Sequence, residues 1–251
     1  MSDVIAGAEE WSNVATGDRG ALVVHGFTGN PSSVRGLAEA FADAGFDVEL
    51  PRLAGHGTVV ADLVPMRWTD WSHDADAAYT RLASRCRSVV VAGLSMGGSL
   101  TLWLGARHPE TAGLVCVNPA TMALPEEIMG ALQAMMEQGV ETFPAIGSDI
   151  ADPDVKESSY GASPVAALVS MFRDGVEPLS ASYESMKIPL LLVTSVNDHV
   201  VDPSHSELLA RSYGGSVERL MLERSFHVAT QDFDKHLVID RAVAFATMVT
   251  S

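Results

Sequence analysis

Ser88-Val-Val-Val-Ala-Gly93-Leu-Ser95-Met-Gly97-Gly-Ser-Leu100 is the stretch on which the fold turns. Its opening residues are apolar and largely β-branched, as a strand buried on both faces requires. Beyond Ser95, the spacing of Leu100, Trp103 and Leu104 predicts a helix. Between the two lies G-x-S-x-G at Gly93, Ser95 and Gly97. A strand that runs directly into a helix through this pattern makes a sharp turn and thrusts the serine Oγ out at the carboxyl edge of the sheet. The glycines flank backbone so tight that a Cβ would clash. A glycine-rich turn with an incidental serine is the bland reading. The strand before and the helix after favour Ser95 as a nucleophile.

Outward from this stretch the same alternation repeats. Short apolar runs at 21–24, 47–50, 113–117, 188–194 and 217–222 alternate with amphipathic segments. Asn30-Pro31 offers an N-cap and a proline at the first helical position, ahead of Val34, Leu37, Ala38 and Phe41. Trp71, Ala75, Ala78 and Leu82 form a second stripe, and Val238, Ala242, Phe245 and Met248 a last one. This order predicts a mostly parallel, doubly wound α/β sheet, and with the G-x-S-x-G turn between strand and helix the expected fold is that of an α/β-hydrolase. Residues 119–187 break the rhythm. No strand is evident there, but Ile128, Leu132, Met135 and Met136 share one helical face and Val165, Leu168, Val169 and Phe172 another. The expected organisation is a core of residues 1–118 and 188–251, with 119–187 as a helical cap inserted after the sixth strand.

Composition narrows the function classes. The chain has 251 residues, 47% of them hydrophobic, enough for a large core. With 32 acidic against 16 basic residues its formal charge is −16, which disfavours nucleic acid and anionic membrane surfaces as partners. No window approaches the roughly eighteen apolar residues of a membrane span, and the N-terminus lacks the pattern of a signal peptide, so the expected compartment is the cytoplasm. Cys86 and Cys116 read as small buried residues rather than a disulfide framework. No histidine pair has HExxH spacing, and no metal or organic cofactor is expected.

A serine hydroxyl attacks only when a base takes its proton, and the base must be held by a third group. In this fold the order is Ser, acid, His. Asp198 follows the 188–194 run at its carboxyl end, whereas Asp202, before Pro203, reads as the N-cap of the next helix. Asp198 is therefore the favoured acid. His227 follows the last strand at the same sheet edge. His25 lies at that edge too, but it precedes the serine and reads as a support for its loop. His56 reads as structural, and His73, His108, His205 and His236 as solvated residues of helical segments. The oxyanion requires two backbone donors, expected at Met96 and, from the glycine-flanked loop His25-Gly-Phe27-Thr-Gly29, at Phe27.

His25-Gly-Phe-Thr-Gly-Asn30, Gly55-His-Gly57, Gly93-Leu-Ser-Met-Gly-Gly98, Asp198-His-Val-Val201 and Ser225-Phe-His-Val-Ala-Thr230 together resemble bacterial carboxylesterases and monoacylglycerol lipases, over roughly residue 20 to the end. The resemblance implies the triad Ser95, Asp198 and His227 with oxyanion donors Phe27 and Met96. Asp154-Val-Lys-Glu157, Tyr160 and Ser163-Pro-Val-Ala-Ala-Leu168 resemble the cap of the monoacylglycerol lipase branch, which implies that Glu157 contacts a glycerol head group. The expected function is hydrolysis of esters with a hydrophobic acyl chain, monoacylglycerols foremost, through an acyl-enzyme. A general short-chain carboxylesterase and a non-catalytic hydrolase-fold receptor for small molecules are the alternatives. The Met- and Leu-rich cap suggests an apolar groove and at most transient contact with lipid surfaces.

Overall fold

The computed structural model describes residues 2–251. Its seven-stranded sheet consists of β1 (Trp11–Asn13), β2 (Arg19–Val24), β3 (Asp47–Leu50), β4 (Ser88–Leu94), β5 (Gly113–Val117), β8 (Leu190–Ser195) and β9 (Val217–Leu222), with a hairpin of β6 (Thr142–Pro144) and β7 (Ala162–Pro164) standing apart. The order across the sheet is β1-β3-β2-β4-β5-β8-β9. Every pairing in it is parallel except β1 with β3.

Successive side chains of a strand point to opposite faces, so each central strand feeds two cores. Ala21, Val23, Val90, Ala92, Val115 and Val193 face one side, where the helices Arg35–Asp43 and Lys235–Val249 pack. Leu22, Val24, Val91, Cys116, Leu190 and Leu192 face the other, under the helices Trp68–Ala83 and Met96–Arg107 and much of the insertion. Coverage on both faces is why these strands read as unbroken apolar runs. The edge strand β9 alternates instead, with Leu222 buried and Met221 exposed. Trp71, Ala75, Ala78 and Leu82 are fully buried as their stripe predicts, while Met248 at the end of the last stripe is exposed.

Two expectations require correction. The insertion follows β5, the fifth strand along the chain rather than the sixth, because only the short antiparallel β1 precedes β2. Nor is the insertion wholly helical, since β6 and β7 pair antiparallel within it. Each is three residues long and ends in proline, Pro144 or Pro164, and a proline that cannot donate to a ladder argues against a strand in a sequence. Its longer helices are Glu126–Glu137 and Val165–Ser170, the latter continuing into a π-helical turn, Met171–Val176, and the short turns Glu177–Leu179 and Ser180–Ser185. Helix Glu126–Glu137 buries Met129 and Leu132, whereas Ile128 and Met136 are exposed. Among the described residues no helix is long and apolar enough to cross a membrane.

Candidate active site

β4 delivers Ser95 to the carboxyl edge of the sheet, and the helix Met96–Arg107 begins at the next residue. Ser95 has φ 58° and ψ −118°, a left-handed backbone that a non-glycine residue adopts at a cost. The turn is locked by close approach. A Cβ on Gly93 would lie 2.1 Å from the Gly97 carbonyl oxygen, and one on Gly97 2.1 Å from that of Val24. Ser95 N–H donates to the Val117 carbonyl at 2.9 Å, anchoring the turn to the neighbouring strand. Ser95 is half-buried and opens onto a cavity of about 250 Å³.

Asp198 and His227 meet across the ends of β8 and β9. His227 Nδ1 lies 2.7 Å from Asp198 Oδ2, and both side chains are withdrawn from solvent. The second oxygen, Asp198 Oδ1, accepts from the Val200 and Val201 amides at 2.8 Å each. With Nδ1 so engaged, Nε2 is the ring atom left for chemistry, and His227 lines the same cavity as Ser95. No hydrogen bond joins Ser95 Oγ to His227 among the described residues, and such contacts often tighten only when substrate is bound. Asp202 lies elsewhere and receives the Ser204 amide at the start of the helix Ser204–Ser212.

The loop after β2 lies against Ser95. A Cβ on Gly26 would stand 3.3 Å from that of Ser95. The amides of Phe27 and Met96 donate to no protein acceptor among the described residues; Met96 is the first residue of its helix, whose leading N–H groups have no intrahelical partner. His25 supports this loop, fully buried. Its Nδ1 donates to the Gly26 carbonyl at 2.9 Å while Nε2 accepts from the Leu53 amide at 3.2 Å. Burial, aided by Arg52, pushes its pKa down to about 4 despite the Gly26 hydrogen bond, so the neutral tautomer with these two partners persists at neutral pH. His56 packs edge-on against His25, Phe27 and Trp71. Burial first, then His25, holds its pKa well below the usual histidine value.

The insertion is sewn onto these loops. The Tyr160 amide donates to the Thr28 carbonyl at 3.0 Å, its hydroxyl donates to the Gly55 carbonyl at 2.9 Å, and Asn30 Nδ2 donates to the Ser158 carbonyl at 2.5 Å. Glu157 is thereby carried to the cavity, where its Oε1 would lie 3.0 Å from a Cβ on Gly29. Burial raises the pKa of its carboxyl, against the opposing pull of His227 and of the Ser159 hydrogen bond. Apolar residues complete the walls, among them Leu124, Phe143, Leu168, Met171 and Phe172.

Several supports escaped the sequence reading. Asn118, buried at the end of β5 with φ 46°, accepts from the Ser195 amide at 2.8 Å and donates to the His227 carbonyl at 2.8 Å. Thr28, Ser95 and Asn118 are the non-glycine residues with positive φ among those described, and all three lie at this edge of the sheet. An asparagine directly after a buried strand was the available signal, since asparagine tolerates this conformation. His205 is not a solvated surface residue. Its Nδ1 accepts from the Thr121 amide at 2.9 Å, tying the start of the insertion to the helix after Asp198. Nor is His108, which stacks on Tyr79 and pairs with Asp76 at 2.6 Å. His73 and His236 are exposed as expected. No cluster of three or more metal-ligating side chains occurs among the described residues.

This geometry can be set beside known proteins. The chain is 39% identical over 246 residues to a thermostable monoacylglycerol lipase of Bacillus sp. (strain H-257), covering 96% of this chain and 95% of that one. It is 26% identical over 224 residues to a carboxylesterase of Bacillus subtilis (strain 168), covering 88% and 89%. A solved structure from the work on LipS and LipT, two metagenome-derived lipolytic enzymes, superposes with a TM-score of 0.89 at 40% identity, covering 98% of this chain and all of the other. The family model Hydrolase_4, described as serine aminopeptidase, S33, matches residues 18–234. The chain belongs to this family of α/β-hydrolases and is a serine hydrolase of the lipase and esterase group.

Proposed function

We propose that the protein hydrolyses carboxylic esters with a hydrophobic acyl chain, monoacylglycerols foremost, with Ser95, His227 and Asp198 as its triad. The observation that carries this reading is the His227–Asp198 contact at 2.7 Å beside a cavity lined by Ser95, by one carboxylate, Glu157, and by apolar walls. Such a cavity receives an acyl chain against Leu168, Met171 and Phe172 and a polar head beside Glu157.

His227 Nε2 takes the Ser95 proton as Oγ attacks the ester carbonyl, and the Phe27 and Met96 amides hold the oxyanion. Asp198 keeps the proton on Nδ1 and stabilises the imidazolium. His227 then protonates the departing glycerol oxygen, the tetrahedral centre collapses, and the acyl group remains on Ser95. Water repeats the sequence, releasing the fatty acid and restoring the serine. No metal or organic cofactor enters these steps. Glu157 meets the glycerol hydroxyls and distinguishes this head group from a simple alcohol. Residues 119–187 act as the cap of the core and close over a substrate of small cross-section, which disfavours a polypeptide.

Hydrolysis of monoacylglycerols from C8 to C18 beside short p-nitrophenyl esters, with Ser95→Ala as control, tests the reading. The expected result is preference for the glycerides, lost in the variant. Turnover of short esters alone would make the protein a general carboxylesterase with no glycerol site. Turnover of neither would sink the ester-hydrolase proposal.

A further inference from the structure

Asp149 lies in the 145–161 connection between β6 and β7, and its side chain is 10% exposed. Its Oδ2 accepts from the His227 amide at 3.0 Å and from the His199 amide at 3.2 Å. Oδ1 lies 2.9 Å from His199 Nδ1, and the Asp149 carbonyl accepts from the Val228 amide at 3.1 Å. One residue of the insertion thus grips both loops that carry the acid and the base. It binds the residue next to Asp198 on one side, and His227 with its successor on the other.

A second carboxylate reinforces the same seam. Asp232 is fully buried and accepts from the Ala151 and Asp152 amides of the insertion at 2.7 and 3.0 Å. It also accepts from the Phe226 amide, one residue before His227, at 2.8 Å. Hydrogen bonds to an ionised acceptor are stronger than neutral ones, and a donor left unpaired in the interior is expensive. Neither loop has regular secondary structure of its own at these positions. Their separation is therefore set by these side-chain acceptors and by Asn118 from beneath.

We propose that Asp149 is a positioning residue through which the insertion sets the spacing of Asp198 and His227. The reactive geometry then depends on the insertion being seated, although no atom of Asp149 touches the reacting ester. This inference rests on His227 being the general base. A misplacement near 1 Å costs on the order of 100-fold in rate, so loss of the grip falls on kcat rather than on substrate affinity.

The test compares Asp149→Ala, Asp149→Asn, Asp149→Glu and His227→Ala on a p-nitrophenyl ester, with melting temperature recorded for each. Asp149→Ala is expected to lower kcat about 30-fold with KM within about twofold. Asparagine keeps an acceptor in place for the His227 and His199 amides and turns its own N–H toward His199 Nδ1, so it should recover kcat to within about fivefold of the parent. Glutamate keeps the charge but displaces it by a methylene, and should lose about tenfold in kcat; it decides the matter if the alanine variant does not fold. Parental kcat in a folded alanine or glutamate variant, or failure of asparagine to recover activity, would overturn the inference. Activity persisting in His227→Ala would instead strike the assignment of the base.

Discussion

The turn at Ser95 and the loop at His227 stand side by side at one edge of the sheet, yet they are held in place by different means. The serine turn is continuous in sequence and seated against the neighbouring strands at Val24 and Val117. Its strand, turn and helix are contiguous in the chain, and backbone sterics at Gly93 and Gly97 fix it. The histidine loop is assembled from a distance. Asn118, Asp149 and Asp198 reach it from three other parts of the chain, Asp232 closes it from a few residues downstream, and specific hydrogen bonds fix it. The first arrangement leaves no room for an added atom at Gly93 or Gly97. The second depends on each hydrogen-bond partner being present. In the proposed mechanism, a sterically fixed Ser95 is thus combined with a His227 whose alignment is distributed over the fold.

This contrast can be broken or sharpened by substitution. Ser95→Ala should reduce ester turnover by at least about 10⁴-fold while leaving the melting temperature within a few degrees, read by kinetics and calorimetry. Gly97→Ala sets a Cβ against the Val24 carbonyl and should destabilise the protein by about 4 kcal/mol or more, seen as loss of folded protein or a large fall in denaturation midpoint. If that variant is as stable as the parent, the steric account of the turn fails.

Between the two regions, the loop of His25 should respond to pH. Its folded pKa of about 4 lies below the unfolded value near 6.5, so the unfolded chain binds a proton that the folded chain refuses. The contribution is whole above pH 6.5 and is lost as pH falls toward 4, by about 3 kcal/mol over that span. Denaturant midpoints should fall through this window more steeply in the parent than in His25→Gln. Equal slopes would contradict a buried neutral histidine. Asn118→Ala strips acceptor and donor from the Ser195 amide and His227 carbonyl and should cost about 2 kcal/mol, with a roughly tenfold fall in kcat. The smallest effect is selective. Glu157→Ala should lower kcat/KM about tenfold on monoacylglycerols and leave p-nitrophenyl esters unchanged. An equal loss on both substrates would make Glu157 a structural residue.

Much of the fold was legible because parallel strands buried on both faces must be apolar throughout. The run at 113–117 coincides with β5, and the apolar stretch opening at Ser88 extends to Leu94 as β4; the runs at 47–50 and 217–222 coincide with β3 and β9 although these carry Asp47, Glu49, Glu218 and Arg219. β1 was missed because three residues at an edge carry too little pattern to register. The hairpin strands were missed because Pro144 and Pro164 argue against pairing in a sequence, whereas at the end of a short pair they leave little of the ladder undone. Asp198 was separable from Asp202 because Pro203 marks a helix start, and in the structure Asp198, not Asp202, reaches His227.

Sequence by itself determined most of the strands of the sheet, the strand–serine–helix turn and the order of the candidate site residues along the chain, because each leaves its pattern in neighbours within a few positions. Periodicity, glycine spacing and a proline after an aspartate are all local. Only the tertiary structure decided what holds the histidine loop, that Glu157 enters the cavity, and that the insertion grips the acid and base loops together. Those facts depend on hydrogen-bond partners 78 residues away in the case of Asp149 and His227, and 109 in the case of Asn118 and His227. A carboxylate or amide at such a distance leaves no periodic trace, since its partner is a backbone N–H or carbonyl that nearly every residue possesses.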